Sequence, residues 1–557
     1  MKTPPSAQTL ALRQDILLCM LSGLLSALSF STLSTGWLIW VALIPFFHVF
    51  YKAPLTWKRG AFLGWVFGMS FYIGVIHWLI ELHPLTWLPG VTNEISLLIV
   101  YGGLFAISLF VSLWLTLFGA ILGALKPQGL LKLVYPALLW MIMEWAQELG
   151  DLSLPWARLA ISQFQDLPLL QVVPLTGSIL IAGVIVAFNV AFALFLDEFV
   201  PDAKPRPYWH YPAFRPLLGI ASCVLAFHGY GFYKLSQAPP PEAASSDKGV
   251  LVGLVQGSIP QGQKWGTPDE FWKNMRDIEK IYLDLSQDLL KKAPESQAQI
   301  LFWPESAIPV FPRYFPEFRA PLQAFAQKNQ AFLVTGAFDR KTWQSPSFNG
   351  ATLFTPQGEN KAWYYKRQLV PFGEFFPYRD FLGKIPLLGG LIAQLNPMKD
   401  DTAAGQDASL MTTPLGKLGT LICFESVYPH VARNSVSEGA QILAIVTNDG
   451  WYRDAIALYQ HNAHAVMRAL ENSRYVLRAG NTGISSVIDP WGRIQIQSLP
   501  MERTYLYTLL DPAQAARSEK TPYTRWGEWV VYLSMLAMLI LVIFQASQNP
   551  LTEAELG

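Results

Sequence analysis

Seven apolar stretches precede residue 234, at about 15–31, 36–51, 60–80, 95–124, 131–146, 168–196 and 215–233, and an eighth lies at about 528–546. A helix needs about 20 apolar residues to cross about 30 Å of hydrocarbon, and most of these stretches approach or exceed that length. The first, second and fifth are short. Hydrophobic residues make up 52% of the chain and charged residues 15%, against about 25% charged in ordinary globular proteins. The expectation is a multi-pass α-helical membrane domain. No clear small-x-small cleavage pattern follows the first stretch, so it reads as a retained span.

Between about 234 and 525 the pattern changes to short apolar runs, polar helical segments and turns marked by Pro or Gly. The predicted organisation is therefore a membrane domain of seven helices (1–233), a linker (234–248) around "QAPPPEAASSDKG", a soluble domain (249–525), and an eighth helix with a tail (526–557). Within the soluble part, "GVLVGLVQGSI", "AQILFWPES", "AFLVTGAF", "GKLGTLICFES" and "AQILAIVTND" are of strand length, and helical patterns such as 267–293 and 452–474 separate several of them. Buried strands alternating with helices predict an α/β layered domain, whose functional residues collect at strand ends.

Basic residues in short connections set orientation. With a cytoplasmic N-terminus, the inner loops hold Lys52, Lys58, Arg59, Lys126, Lys132, Lys204, Arg206 and Arg215, while the outer loops hold Arg158. Seven crossings then put the soluble domain on the outer face and the eighth returns the C-terminus to the cytoplasm. A formal charge of +1 excludes the nucleic-acid binders, which need clustered cations. Three scattered cysteines make neither a disulfide framework nor a zinc site, and Cys19 and Cys223 sit in apolar runs as small hydrophobes. Phosphate-loop motifs and GxSxG are absent.

Three strand-end groups stand out. Glu305 in "LFWPES" follows an apolar strand, where partial desolvation would raise a carboxyl toward use as a proton acceptor. Lys366 in "WYYKRQLVPFGEFFP" follows three aromatics, and Cys423 ends the run in "TLICFESVYP". A thiol nucleophile needs a base, and acyl transfer needs a cation or N–H donors where the oxyanion forms, so the three make a chemically complete set. Cys423 and Glu425 would share a face if the strand continued that far. "HNAH" sets His461 and His464 three apart without the HExxH spacing, which reads as a structural or substrate-lining pair; no metal and no cofactor is expected.

The motifs "QGSIPQGQKW", "WPESAIP", "YKRQLVPFGEFFP", "ICFESVYP", "TNDGWY" and "HNAHAVMRALENSRYVLRAGNTGIS" occur in an order that resembles the nitrilase (carbon–nitrogen hydrolase) superfamily. With the flanking spans, the chain is similar to that superfamily's membrane-embedded branch, the apolipoprotein N-acyltransferases. The resemblance implies a four-layer αββα sandwich with Glu305 as general base, Lys366 as stabiliser of the tetrahedral intermediate and Cys423 as nucleophile. It also implies supporting or substrate-binding roles for Glu374, Phe424, Glu425, Trp265, Asn448 and Trp451. The family often has Tyr where Phe424 stands, which removes a hydroxyl. The implied partners are a phospholipid acyl donor, a diacylglyceryl apolipoprotein acceptor and membrane lipids, with a monomeric protein in the bacterial inner membrane and its catalytic domain periplasmic.

Two rival readings exist, a membrane-anchored amidase that delivers its acyl group to water and a transporter with a soluble domain. The seven preceding spans argue against the first, and the scarcity of ionisable residues in the spans against the second. The apolar, Gly-rich stretch "FLGKIPLLGGLIAQLNP" (381–397) is expected to form a flap that dips into the membrane.

Overall fold

The computed structural model describes residues 7–32, 34–52, 55–85, 90–200, 206–240, 249–264, 268–382, 384 and 401–548. Trp265, linker residues 241–248 and most of the expected flap lie outside the described residues. Six helices among the described residues are long and apolar enough to cross a membrane. They are α1 (Ala7–Leu28), α2 (Trp57–Ile76), α3 (Asn93–Leu125), Ile179–Phe199, Phe214–Ser236 and Trp529–Gln548. Thr56 and Thr92 cap α2 and α3 by accepting hydrogen bonds from Arg59 N and Ile95 N.

Two expected spans fall short of that length. Residues 36–51 fold as a 3-10 turn and two short helices, because Pro45 starts the second helix without an N–H to continue the ladder. Helix α4 (Leu131–Ala146) has 16 residues and contains Pro136. Both still run inside the bundle. Ser22 Oγ donates to Ala42 O at 2.6 Å, Lys52 pairs with Asp15 near the start of α1, and Trp140 of α4 meets Phe118 edge-on. The sixth stretch is also divided, since Gly177 takes φ +76° ahead of the helix Ile179–Phe199, labelled α5; Phe214–Ser236 is α6.

Without water to drive them together, membrane helices rely on close van der Waals packing at small residues. Helices α2 and α3 meet at Gly60, Gly64, Gly119 and Gly123. A Cβ on Gly119 would lie 2.2 Å from Gly60 O, and one on Gly64 would lie 2.2 Å from Leu115 O. Four glycines thus let two backbones touch.

The soluble part holds two six-stranded mixed sheets. One has the order β12-β1-β2-β3-β4-β5 and the other β11-β10-β9-β8-β7-β6, where β4 is Phe348–Phe354, β5 Asn360–Tyr365, β6 Met411–Thr413, β10 Ser486–Ile488, β11 Ile494–Gln497 and β12 Thr504–Leu510. Strands β1 (Val250–Gln256), β2 (Ala298–Phe302) and β3 (Ala331–Asp339) are parallel neighbours, as are β7 (Gly416–Ile422), β8 (Ile442–Thr447) and β9 (Val476–Gly480). Their period-two alternation builds the layers. Val250, Val252 and Leu254 of β1 face Ile442, Ala444 and Val446 of β8 across the inter-sheet core. Leu251 and Val255 face outward, under α7 (Pro268–Lys292) and α8 (Pro316–Asn329), with Tyr282 and Phe318. On the second sheet Leu443 and Ile445 point the other way, onto α9 (Pro429–Ser437) and α10 (Ile456–Asn472). The result is a four-layer αββα sandwich, as expected.

That last layer shares one continuous apolar cluster with the membrane bundle. Gln460 of α10 accepts from the indoles of Trp78 (3.1 Å) and Trp156 (2.7 Å). Its amide also donates to Phe30 O and Val75 O, each at 3.4 Å. Tyr428 donates to Ser153 O at 2.8 Å, and Trp78 packs edge-on against Tyr452 with centroids 4.7 Å apart. The sandwich therefore sits on the Leu28, Ile76 and Ala146 ends of α1, α2 and α4. Lys52, Lys58, Arg59, Lys126 and Lys132 lie at the other ends of the helices.

Gly119→Leu should separate α2 from α3 and destabilise the bundle by about 2 kcal/mol or more. Gly102→Leu on the same helix, where a Cβ has no neighbour within 4 Å, should leave stability unchanged. Thermal unfolding in detergent measures both, and equal midpoints for the two variants would refute the contact.

Candidate active site

Four strand ends converge on the edge that faces the membrane helices. After β2, Trp303 N donates to Val334 O at 2.8 Å and its indole donates to Ser286 Oγ at 2.9 Å, which fixes the segment leading to Glu305. Strand β3 can approach it because residue 336 is glycine. A Cβ there would lie 2.6 Å from both Glu305 Cα and Pro304 O. Glu305 is 6% exposed. Its Oε1 accepts from Asn349 Nδ2 (2.8 Å) and Lys366 Nζ (3.5 Å), and its Oε2 accepts from the Asn448 backbone N–H (2.8 Å).

Lys366 follows β5 (Asn360–Tyr365), and its N–H donates to Asn349 O at 2.9 Å. Nζ lies 2.9 Å from Glu374 Oε2. The Asn349 amide, on β4 (Phe348–Phe354), spans the two carboxylates by donating also to Glu374 Oε1 at 2.7 Å. Glu374 Oε2 further accepts from Val370 N at 2.8 Å, closing the turn that carries it.

Strand β7 stops at Ile422. Cys423 takes φ +52°, in the left-handed region, and Cys423–Val427 forms a 3-10 turn. The turn, rather than strand alternation, governs Glu425. Its carboxylate bends back to accept from Ile422 N (2.7 Å) and reaches across to Arg367 N (2.7 Å), Gln368 N (3.1 Å) and the Tyr364 hydroxyl (2.8 and 2.7 Å). Glu425 thereby ties the Cys423 mount to the chain that carries Lys366. Phe424 is buried edge-on against Tyr428, centroids 5.2 Å apart.

Burial pushes the Cys423 thiol up, and Glu305 adds to that while Lys366 opposes it, so the resting thiol is protonated. Burial alone would push Lys366 down, but Glu374, Glu305 and Cys423 together raise it above its ordinary value, so it stays a cation. Burial drives Lys264 down to about 8 despite the nearby Glu305; its Nζ donates to Ser306 O at 3.0 Å. Burial raises Glu425. Asp449 is buried too, yet His461 and Arg478 hold it down at about 2. The arrangement offers a protonated nucleophile, a carboxylate to receive its proton and a fixed cation.

Of the residues singled out from the sequence, Glu305, Lys366, Cys423, Glu374, Glu425 and Asn448 fall in this one knot. Trp451 is half-buried two residues beyond Asp449. Asn448 holds Glu305 by its backbone, while its side chain donates to Gln261 Oε1 (3.0 Å) and accepts from Asn481 (2.9 Å). Asn349, Lys264 and Asp449 were not foreseen. "FNGATLF" reads as an ordinary strand, Lys264 reads as a surface charge, and only the position of Asp449 after an apolar run gave a signal. Among the described residues one group has metal-ligand composition, Cys423, Asp449 and His461. Two of its three residues, Asp449 and His461, are already committed. Asp449 accepts from Thr447 (2.9 Å) and Arg478 (2.8 Å), both ring nitrogens of His461 have partners, and the Arg478 guanidinium would repel a cation.

Residues 251–520 match the family model described as carbon-nitrogen hydrolase. Residues 22–191 match the apolipoprotein N-acyltransferase N-terminal domain. A protein of Gloeobacter violaceus named apolipoprotein N-acyltransferase is 31% identical over 91% of this chain and 89% of its own length. One of Geobacter metallireducens with the same name is 30% identical over 87% of each chain. Among solved structures, the nitrilase-superfamily member Nit3 of Saccharomyces cerevisiae aligns with 49% of this chain and 94% of its own, at 18% identity and a TM-score of 0.36. With relatives at this identity over nearly their whole length, the chain belongs to the apolipoprotein N-acyltransferase family and is a membrane acyltransferase with a carbon–nitrogen hydrolase domain.

Proposed function

We propose that the protein moves an acyl chain from the sn-1 position of a phospholipid, through a thioester on Cys423, to the α-amino group of the N-terminal S-diacylglyceryl cysteine of a lipoprotein. The observation that carries this reading is the convergence of Glu305, Lys366 and Cys423 on the edge of the sandwich that rests on the membrane helices. Glu305 takes the thiol proton as Sγ attacks the ester carbonyl. Lys366 and the Phe424 N–H face the oxyanion of the tetrahedral intermediate. Collapse expels the lysophospholipid oxygen, which recovers the proton from Glu305. The amine then attacks the thioester and gives a proton to Glu305, and a second collapse releases the amide and returns the thiol.

Glu374 and Asn349 keep Lys366 and Glu305 in register, and Glu425 and Asn448 fix the two halves of the site. We assign Phe424, Trp451 and Trp265 to substrate handling on the family resemblance. Residues 1–233 and 526–557 serve as the membrane part and 249–525 as the catalytic part, joined by 234–248. The protein acts as a monomer in the bacterial inner membrane, with the catalytic part periplasmic and both termini cytoplasmic. Such a placement keeps both substrates' chains in lipid, where withdrawal would cost about 0.8 kcal/mol per CH₂.

Purified protein given phospholipid and a diacylglyceryl-cysteinyl peptide should release lysophospholipid and N-acyl peptide in equal amounts; free fatty acid as the acyl product would establish a hydrolase instead. Mass spectrometry of the intact protein with phospholipid alone should find one acyl group on Cys423. Cys423→Ser should abolish that adduct, and Glu305→Gln should slow its formation by about 10²- to 10⁴-fold, the usual contribution of a general base. An adduct on a different residue refutes the assignment.

A further inference from the structure

Behind the Cys423 turn lies a buried chain of polar groups with no part in the steps above. His461, 3% exposed on α10, directs Nδ1 at Asp449 Oδ1, 2.9 Å away. Its Nε2 lies 3.1 Å from Cys423 O and 2.8 Å from Ser426 Oγ, while Ser426 Oγ itself donates to Cys423 O at 2.9 Å. Asp449 is further held by Thr447 and by Arg478 of β9. The Arg478 guanidinium also passes 3.2 Å from Nδ1, but its shorter contact, at 2.8 Å, is with Asp449 Oδ2. From the membrane side, Trp156 closes the ring in, with centroids 5.7 Å apart.

A carboxylate and a backbone carbonyl can only accept. Nδ1 meets the one and Nε2 meets the other, so the ring bridges the two acceptors. The carbonyl it reaches belongs to the residue held at φ +52°, a conformation that persists only where its surroundings determine it. That carbonyl has two side-chain donors, Ser426 and His461.

We propose that His461 is a positioning residue for the nucleophile: bridging Asp449 through Nδ1 and the Cys423 carbonyl through Nε2, it braces that carbonyl against Asp449 and sets the left-handed turn that aims Sγ at the acyl carbon. The orientation comes from Asp449, which fixes the ring, and the rigidity from Trp156, which prevents it from swinging away. The proposal rests on Cys423 as the nucleophile. It gives His461 no contact with substrate, so it acts on the acyl-transfer steps and not on lipid binding.

The experiment follows acylation of Cys423 by phospholipid in the full-length protein, by mass spectrometry over time, in wild type, His461→Asn and His461→Gln. The Asn amide can reach Asp449 but is too short for the Cys423 carbonyl, whereas the longer Gln amide can place an N–H near it. Depriving a buried acceptor of a donor costs about 10- to 100-fold in rate. His461→Asn should therefore slow acylation by about 30-fold, with phospholipid KM and the thermal unfolding midpoint unchanged, and His461→Gln should recover a substantial part of that loss. Wild-type acylation rates in His461→Asn would overturn the proposal, as would equal loss in both variants accompanied by a lowered unfolding midpoint, which marks a packing role. Absence of an adduct on Cys423 in the wild-type protein would instead refute the nucleophile assignment itself. Should neither His461 variant fold, Asp449→Asn, which leaves the ring in place but weakens its anchor, is expected to slow acylation with KM unchanged; an undiminished rate would overturn the proposal.

Discussion

The Lys366 ammonium, 1% exposed, is the constraint around which the site is built. An unpaired buried cation costs several kcal/mol, so the chain must supply anions wherever it places that lysine. Glu374 at 2.9 Å and Glu305 at 3.5 Å do so, each from a different segment. Two carboxylates around one cation would repel each other, and the Asn349 amide between them relieves that by giving one N–H to each. Lys264, buried and held to Ser306 O, adds a further positive charge beside Glu305. The residues proposed for chemistry are thus also the ones that make the interior electrostatically tolerable, so removing one partner leaves a buried charge uncompensated.

That knot has a fixed address because the sandwich is closed on its fourth side by the membrane bundle. One apolar cluster runs from α9 and α10 into the helices without an intervening solvent layer. Polar groups crossing it are satisfied by specific partners, as Gln460 shows by using its amide for two indoles and two carbonyls from three separated segments. Such a junction fixes the catalytic edge at one height and one orientation over the helix ends. A soluble hydrolase has no need of this; an enzyme whose substrates stay in lipid does.

Much of the site was legible in the sequence because its chemistry sits directly after apolar strands. "LFWPE", "WYYK" and "LIC" each show a buried run ending in a polar group, and that local pattern singles out Glu305, Lys366 and Cys423 as candidates. Asn349 was not legible for the opposite reason. It stands at the start of β4, where an antiparallel strand begins on the same edge, and only the pairing of Gly350 with Tyr365 brings it beside Lys366. Glu425 was visible as a neighbour of Cys423, but its reach to Arg367 and Gln368 depends on contact between two sheets. In the membrane part, hydropathy found every apolar stretch. It did not foresee that Pro45 and Gly177 divide two of them, because apolar content reports burial in lipid and not the continuity of a helix.

Burial also bears on why an acyl group held at Cys423 would reach an amine and not water. The same low-dielectric surroundings that raise the thiol, with Glu305 reinforcing them, disfavour a free thiolate at rest. On the proposed mechanism the thiol would become reactive only when its proton can pass to Glu305 with a carbonyl in place, which couples activation to occupancy. On the proposed mechanism, the same low-dielectric surroundings would slow hydrolysis of the thioester. The proposed acceptor, an amine on a lipid-anchored peptide, would arrive along the membrane face that the sandwich rests on. On that mechanism, selection of the amine would need no device to reject water beyond the apolar junction with the bundle.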